Sequence, residues 1–184
     1  MTAQAQFTPL SRLLHWVMAI MVLAMLFIGL SMVVSLADYP LLVSIHRPLG
    51  IAILVLAVIR FVNRLINPAP PLPDHMPSWQ RFAAKASHVV LYLLLFALPL
   101  VGWAMLSAAR YPIVLYGPLH LPPILPHDAM LYAVLRKAHT YLAYLLMATF
   151  LAHLGAALLH GLIHRDGVFA SMAPWKARRA QSGR

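Results

Sequence analysis

The chain has 184 residues, of which 62% are apolar and 10% charged, and its mean hydropathy is +0.79. A water-soluble domain cannot expose that much apolar surface, so the composition excludes most soluble classes and favours a lipid bilayer as the solvent. The absence of cysteine excludes disulfides, thiol catalysis, iron–sulfur clusters and covalent haem attachment. The formal charge of +10 does not indicate nucleic-acid binding, because the basic residues lie at the ends of apolar runs and form no basic soluble domain.

Four predicted transmembrane helices follow one another along the chain, at about residues 9–36, 41–66, 79–108 and 130–163. Each contains an apolar run close to the roughly 20 residues that a helix needs to cross the hydrocarbon core. Thr8 and Pro9 suit the N-cap and the first turn of the first helix, and Ser78 is the expected cap of the third. The first apolar run is longer than that of a signal peptide, so we expect this helix to be retained.

The connections between the predicted helices are rich in proline. The segment from Asn67 to Pro77 cannot be helical throughout, and residues 110–126, which contain five prolines, are expected to form an irregular loop that packs on protein. The chain shows no internal repeat and no second domain. The sequence therefore predicts an all-α integral membrane protein, in which residues 1–184 form one up-down-up-down bundle of four transmembrane helices.

Basic residues are distributed unevenly between the two sides of this predicted bundle. The side with both termini and the second connection carries ten of the fourteen lysines and arginines: Arg12, Arg60, Arg64, Arg81, Lys85, Arg165, Lys176, Arg178, Arg179 and Arg184. The other side carries Arg47, Arg110, Arg136 and Lys137. Cytoplasmic segments of membrane proteins are enriched in lysine and arginine, so both termini are predicted to be cytoplasmic.

Histidines lie inside the predicted helices, where ionisable side chains are functional candidates. His139 and His153 are 14 positions apart on the fourth helix, which is about 40° short of four turns, so both rings leave the same face. The helical rise separates them by about 21 Å. His46 near the outer start of the second helix and His15 near the inner start of the first lie at matching depths, and His88 on the third is also towards the inner side. The pattern predicts one site near each membrane surface.

Paired neutral imidazoles inside a bundle favour haem over other metal sites. Zinc usually has three or four ligands at one site, and all four acidic residues lie in loops or at span ends, which disfavours oxygen-rich metal sites and proton pumps. Haem bound by two histidines needs two rings on opposed helices and a flat apolar slot between them. It also needs cations for its propionates, and the chain offers all three. Arg60, 14 positions after His46, is either a propionate partner or an ordinary basic helix end. The remaining histidines are expected to be interfacial or structural: His75, His120, His127, His160 and His164.

Several motifs occur together in a characteristic order. They are RLLHW at Arg12–Trp16, HRPLG at His46–Gly50 followed by Arg60 and Arg64, HVVLYLLLFALPLVG at His88–Gly102, KAHT at Lys137–Thr140, then His153, and HRDGVFASMAP at His164–Pro174. In this order and spacing the chain resembles the bacterial cytochrome b561 family over almost its whole length. The resemblance implies a multi-pass protein of the bacterial inner membrane that holds two non-covalent b haems, one near each face.

The resemblance also implies the axial ligands of the two haems. It assigns His46 and His139 to the outer haem and His15 and His153 to the inner one. Spacing alone leaves His15 and His88 as alternatives for the inner haem. The resemblance favours His15, with His88 close to the inner haem and bonded to a propionate.

Members of the family pass electrons between a small donor and quinone, and some oxidise superoxide while reducing ubiquinone. The resemblance therefore implies a quinone-linked oxidoreductase of the superoxide:ubiquinone type, with the bilayer, ubiquinone and a small anionic donor or redox protein as partners. Three basic residues are close in sequence to the outer ligands: Arg47, Arg136 and Lys137. A basic surface beside the outer haem would attract a small anion. Two alternatives stay open: a cytochrome subunit that anchors a hydrogenase or formate dehydrogenase, and a structural or transport bundle without haem.

Overall fold

The computed structural model describes residues 6–73 and 76–173. Four long helices dominate it: α1 (Pro9–Val34), α2 (Tyr39–Ile66), α3 (Ser78–Ala108) and α4 (Ala129–Leu158). A π-helical segment (Leu159–His164) continues α4, and the short helix α5 (Val168–Met172) follows it. The four long helices, counting the π-helical segment with α4, are long and apolar enough to cross a membrane. The predicted four-span helical bundle is confirmed.

The starts of α1 and α3 agree only partly with the sequence signals. Thr8 caps α1, as predicted, and its side-chain oxygen accepts a 3.3 Å hydrogen bond from the backbone N–H of Ser11. The predicted cap at Ser78 is wrong, because Ser78 is already the first residue of α3 and Pro77 occupies the cap position. Proline in this position has the fixed φ of the chain entering a helix and needs no hydrogen-bond acceptor for an N–H of its own.

The connection between α3 and α4 is more regular than predicted. It contains an antiparallel hairpin of β1 (Ile113–Tyr116) and β2 (Leu119–Leu121). The run between Pro112 and Pro118 is rich in β-branched and aromatic residues, which favour strands. Gly117 at the tip has φ +52°, a left-handed conformation that glycine adopts without strain. The abundance of proline therefore marked the ends of the strands, and the prediction of an irregular loop throughout was wrong.

The long helices pack as two hairpins. α1 lies along α2, α3 lies along α4, and α2 joins the hairpins by contacting α3, whereas α1 makes no extensive contact with α4. The interior is a thin apolar cluster: Met18, Val22, Leu26, Ile53, Ala57, Leu94, Leu95, Leu98 and Leu146. Many large apolar side chains point outward instead, such as Ile20 (66% exposed) and Phe27 (63% exposed). An exterior of this kind suits lipid and would aggregate in water.

The two ends of the bundle differ in what covers them. The termini face holds the start of α1, the α2–α3 connection and α5, and the hairpin face holds the α1–α2 connection and the β-hairpin. At the termini face the backbone N–H of Phe7 donates to the Ser171 carbonyl (3.1 Å), and Trp16 Nε1 donates to the Met172 carbonyl (2.9 Å). Some residues used above to predict orientation or to assign histidine roles lie outside the described residues: His75, Lys176, Arg178, Arg179 and Arg184.

Candidate functional site

One histidine pair lies towards the hairpin face, between α2 and α4. The ring centres of His46 and His139 are 6.1 Å apart, and their planes are inclined by 66°. Two glycines leave room for these rings. A Cβ built on Gly102 of α3 would lie 3.3 Å from His139 Cε1, and one built on Gly29 of α1 would lie 4.0 Å from His46 Cε1. Close helix packing around His139 therefore depends on the missing side chain at position 102.

Three histidines meet towards the termini face. The ring centres of His15 on α1 and His153 on α4 are 6.4 Å apart, with the planes inclined by 70°. The ring of His88 on α3 lies closer to the same partner, at 5.4 Å from His153 and an inclination of 63°. The structure thus brings together all the histidines that the sequence predicted for the inner level.

The ring separations can be compared with those of two imidazoles bound to opposite sides of one metal. A metal–nitrogen bond of about 2.0–2.1 Å, plus about 1.1 Å from that nitrogen to the ring centre, places the two centres about 6.3 Å apart. The His46–His139 separation of 6.1 Å and the His15–His153 separation of 6.4 Å agree with this value. The His88–His153 separation of 5.4 Å is shorter by about 0.9 Å, so that pair fits such a site less well.

Metal-binding side chains of the described residues come together as pairs, and the three histidines that meet towards the termini face do not form a three-ligand metal site. No group of three or more histidine, cysteine, aspartate or glutamate residues in the described part of the chain could hold a metal ion. The Nδ1 atoms of His15 and His46 are buried without a hydrogen-bond partner. Buried polar atoms normally have a partner, so the unpartnered nitrogens mark both pairs as places for a bound group. Two histidines at each place would suit haem, whose own ring would supply the other four ligands of the iron.

Cationic and polar side chains gather beside the inner histidines. Arg60, Arg64, His88 and Tyr92 line a small cavity of about 50 Å³. The guanidinium of Arg60 lies 5.8 Å from the centre of the Tyr92 ring, a cation–π contact. The sequence predicted Arg60 at this level, and the structure adds Tyr92, which the helical spacing could have indicated, since it is four positions after His88 on the same helix.

The basic residues that were predicted to attract an anion beside the outer ligands are in different environments. Arg136 and Lys137 are exposed in the first turns of α4, and neither side chain has a hydrogen-bond or ion-pair partner among the described residues. Arg47 is partly buried, and its Nη1 donates a 3.3 Å hydrogen bond to the carbonyl of Pro112 at the base of the hairpin. Arg136 and Lys137 are therefore available to an approaching anion, whereas Arg47 is held by the loop.

A histidine–carboxylate contact that the sequence did not predict lies just after α4. His160 Nδ1 is 2.5 Å from an oxygen of Asp166, within hydrogen-bond distance. The second oxygen of Asp166 accepts a hydrogen bond from the backbone N–H of Val168 (3.1 Å). The pair thus connects the π-helical segment to the start of α5.

Apolar membrane-spanning helices with opposed histidine pairs in their interior define a membrane-embedded electron-transfer cytochrome of the b type. A family model described as prokaryotic cytochrome b561 matches residues 6–175. The chain belongs to this family, which implies binding of haem b.

Curated relatives agree with this assignment. The chain is 34% identical over 167 residues to cytochrome b561 homolog 2 of Escherichia coli (strain K12), a match that covers 89% of this chain and 88% of the relative. It is 31% identical over 164 residues to a protein of Yersinia pestis named probable superoxide oxidase CybB, covering 89% of this chain and 93% of the relative. The second alternative considered from the sequence, a bundle without haem, is inconsistent with membership of the family.

Proposed function

We propose that the chain holds two b haems, one between His46 and His139 and one between His15 and His153. The observation that carries the proposal is the pair of ring separations, 6.1 and 6.4 Å, which suit two imidazoles on one metal. Bound haem would supply a one-electron iron couple, and with two histidines holding it the site would favour electron transfer over oxygen chemistry at the metal. His139 and His153 are 14 residues apart on α4, so the two proposed sites lie about 21 Å apart along this helix.

The side chains around the inner pair have a different proposed role. Arg60 and His88 share the small cavity at this level, where they would bind a haem propionate through charge-assisted hydrogen bonds. The His88–His153 ring separation of 5.4 Å is shorter than two imidazoles on one metal would need. It supports the proposal that His15 is the inner ligand and that His88 is a positioning residue.

The substrates proposed for the chain are superoxide and ubiquinone. The relative from Yersinia pestis is named a probable superoxide oxidase, and the exposed charges of Arg136 and Lys137 would raise the local concentration of a small anion beside His139. Each superoxide would lose one electron and leave as oxygen. Two electrons and two protons convert ubiquinone to ubiquinol, so two superoxide anions are consumed for each quinone. With the termini in the cytoplasm of a bacterial inner membrane, superoxide would arrive from outside the cytoplasm.

Haem content and ligand variants test the proposal. The purified chain should contain two haems per polypeptide in a pyridine haemochrome assay, all extractable by acid acetone. His46→Ala and His139→Ala should each leave one haem of the same spectral type, and His153→Ala should leave the other. His120→Ala, in the exposed strand β2, is the matched control and should keep both. One haem or none in the unmodified chain would refute the proposal.

A further inference from the structure

A cavity of about 470 Å³ lies at the hairpin face, between the end of α3 and the loop that carries the β-hairpin. Its volume is in the range of about 300–1,000 Å³ that is typical of small-molecule sites. Most of its lining is apolar and flat, since it consists of an indole, a phenol ring, prolines and aliphatic side chains. The residues important for the argument are Trp103, Ser107, Arg110, Tyr111, Pro112 and His127.

Two residues that line the cavity, Trp103 and Pro112, are connected to the surroundings of the His46–His139 pair. Trp103 follows directly after Gly102, whose Cβ position lies 3.3 Å from the ring of His139. Pro112 accepts the hydrogen bond of Arg47, the residue next to His46. The cavity lining is therefore linked to the outer pair through Gly102 on α3 and through Arg47 on α2.

Few polar groups of the lining are free to bind a ligand. Ser107 Oγ donates to the Trp103 carbonyl (2.8 Å) and accepts from the N–H of Ile124 (3.1 Å), and Trp103 Nε1 donates to a loop carbonyl (2.9 Å). The guanidinium of Arg110 has no partner among the described residues. His127 Nδ1 is 2.8 Å from the carbonyl of Ala108. Since a carbonyl only accepts, Nδ1 carries the proton, and Nε2 of the neutral ring is left as a proton acceptor.

We propose that this cavity binds a small aromatic reductant of the hydroquinone class that carries an anionic substituent. The inference rests on the proposed function, because the electrons enter the His46–His139 site. The flat walls suit a planar ring, Arg110 binds the anionic group, and His127 Nε2 accepts the proton of a ring hydroxyl as a general base. The hydroquinone would lose two electrons in successive one-electron steps at the His46–His139 site, each passed on to the ubiquinone of the proposed function, and its two O–H protons would pass through His127 to water. It leaves as the quinone, and no other bond is broken.

The experiment uses 1,4-naphthohydroquinone-2-sulfonate as the probe and the full-length, haem-loaded chain in detergent. Haem reduction is followed by stopped-flow absorbance and should saturate with probe concentration. Arg110→Gln should raise the half-saturating concentration about fivefold, the effect of losing one partly exposed charged contact, with the maximum rate unchanged. His127→Gln keeps an N–H donor for the Ala108 carbonyl but removes the base, and should lower the maximum rate at least about tenfold. His120→Gln, on the exposed face of the hairpin, should change neither.

Two further measurements separate this proposal from the proposed function. Superoxide needs no base, so His127→Gln should be reduced by superoxide at the unmodified rate. Calorimetric binding of the oxidised probe, the naphthoquinone sulfonate, tests the cavity without any electron transfer and should weaken in Arg110→Gln. The proposal is overturned if the rate of haem reduction rises linearly with probe concentration and is the same in Arg110→Gln and His127→Gln as in the unmodified chain. It is also overturned if calorimetry detects no binding of the oxidised probe. Binding that depends on Arg110 but yields no haem reduction refutes the donor role. Absence of haem refutes the proposed function alone, since the calorimetric result still decides whether the cavity binds the probe.

Discussion

Replacing Gly102 tests whether the helix packing around His139 controls the haem proposed for the His46–His139 pair. In Gly102→Ala the new Cβ would lie 3.3 Å from His139 Cε1, whereas carbon atoms pack best at about 3.5–4.0 Å. The ring must therefore retreat by about 0.2–0.7 Å. That shift reaches or exceeds the tolerance of about 0.2 Å for a metal–ligand bond. Overpacking of this kind costs about 1–3 kcal/mol, which corresponds to haem affinity at the outer site that is about 5- to 150-fold weaker.

The assay is a redox titration of the purified variants combined with a haem count. Gly102→Ala should shift or weaken one haem of the two, and Gly102→Val, with two more carbon atoms at the contact, should lose it. Gly155 is the matched control, because it lies on α4 and a Cβ built there meets nothing within 4 Å. Gly155→Ala and Gly155→Val should keep both haems. Equal effects at both glycines, or an unchanged outer haem in Gly102→Val, would refute the reasoning.

Three further predictions concern other parts of the chain. His15→Ala should abolish the inner haem, whereas His88→Ala should retain it with a changed midpoint potential; the reverse result in a redox titration would exchange their roles. Changing Arg136 and Lys137 together to Gln should slow haem reduction by superoxide and remove its dependence on ionic strength, because exposed charges act over roughly 8 Å in physiological salt; a rate equal to that of the unmodified chain would contradict steering. Asp128→Ala removes an N-cap whose side chain accepts hydrogen bonds from two backbone amides of α4 (2.8 and 2.9 Å). The variant should lower the free energy of unfolding by about 1 kcal/mol in a thermal unfolding assay. Asp38→Ala is the control and should cause no such loss, because the Asp38 side chain makes no capping bond to α2.

Those features of the histidine sites that depend on a single helix could be predicted from the sequence. The spacing of His139 and His153 fixes a common face and two depths, because an α-helix has a constant rotation and rise per residue. The choice between His15 and His88 depends on distances between different helices, which no periodicity contains. The contact of Gly102 with His139 was missed for the same reason, although a glycine within an apolar helix is a recognised signal of close packing.

The loop between α3 and α4 was the least predictable part of the chain. Its prolines indicated breaks in structure, and the strands between them could have been recognised from Ile113 to Tyr116, a run with high strand propensity. The hydrogen bond of His127 to Ala108 joins residues 19 positions apart through an irregular turn. Such a contact has no sequence pattern, and His127 was therefore expected to have no more than a structural or interfacial role.

The weak contact between α1 and α4 has a consequence for how the protein is made. His15 and His153 face each other across these two helices, so haem bound there would provide packing that the side chains do not provide themselves. The α1–α2 and α3–α4 hairpins could then enter the bilayer as separate units, and cofactor insertion would complete the assembly. In cells starved of haem, newly synthesised chains should be degraded faster in a pulse-chase experiment, and His15→Ala should be degraded as fast when haem is abundant. The amount of this protein in the membrane would then follow the cell's supply of haem without any control of its gene.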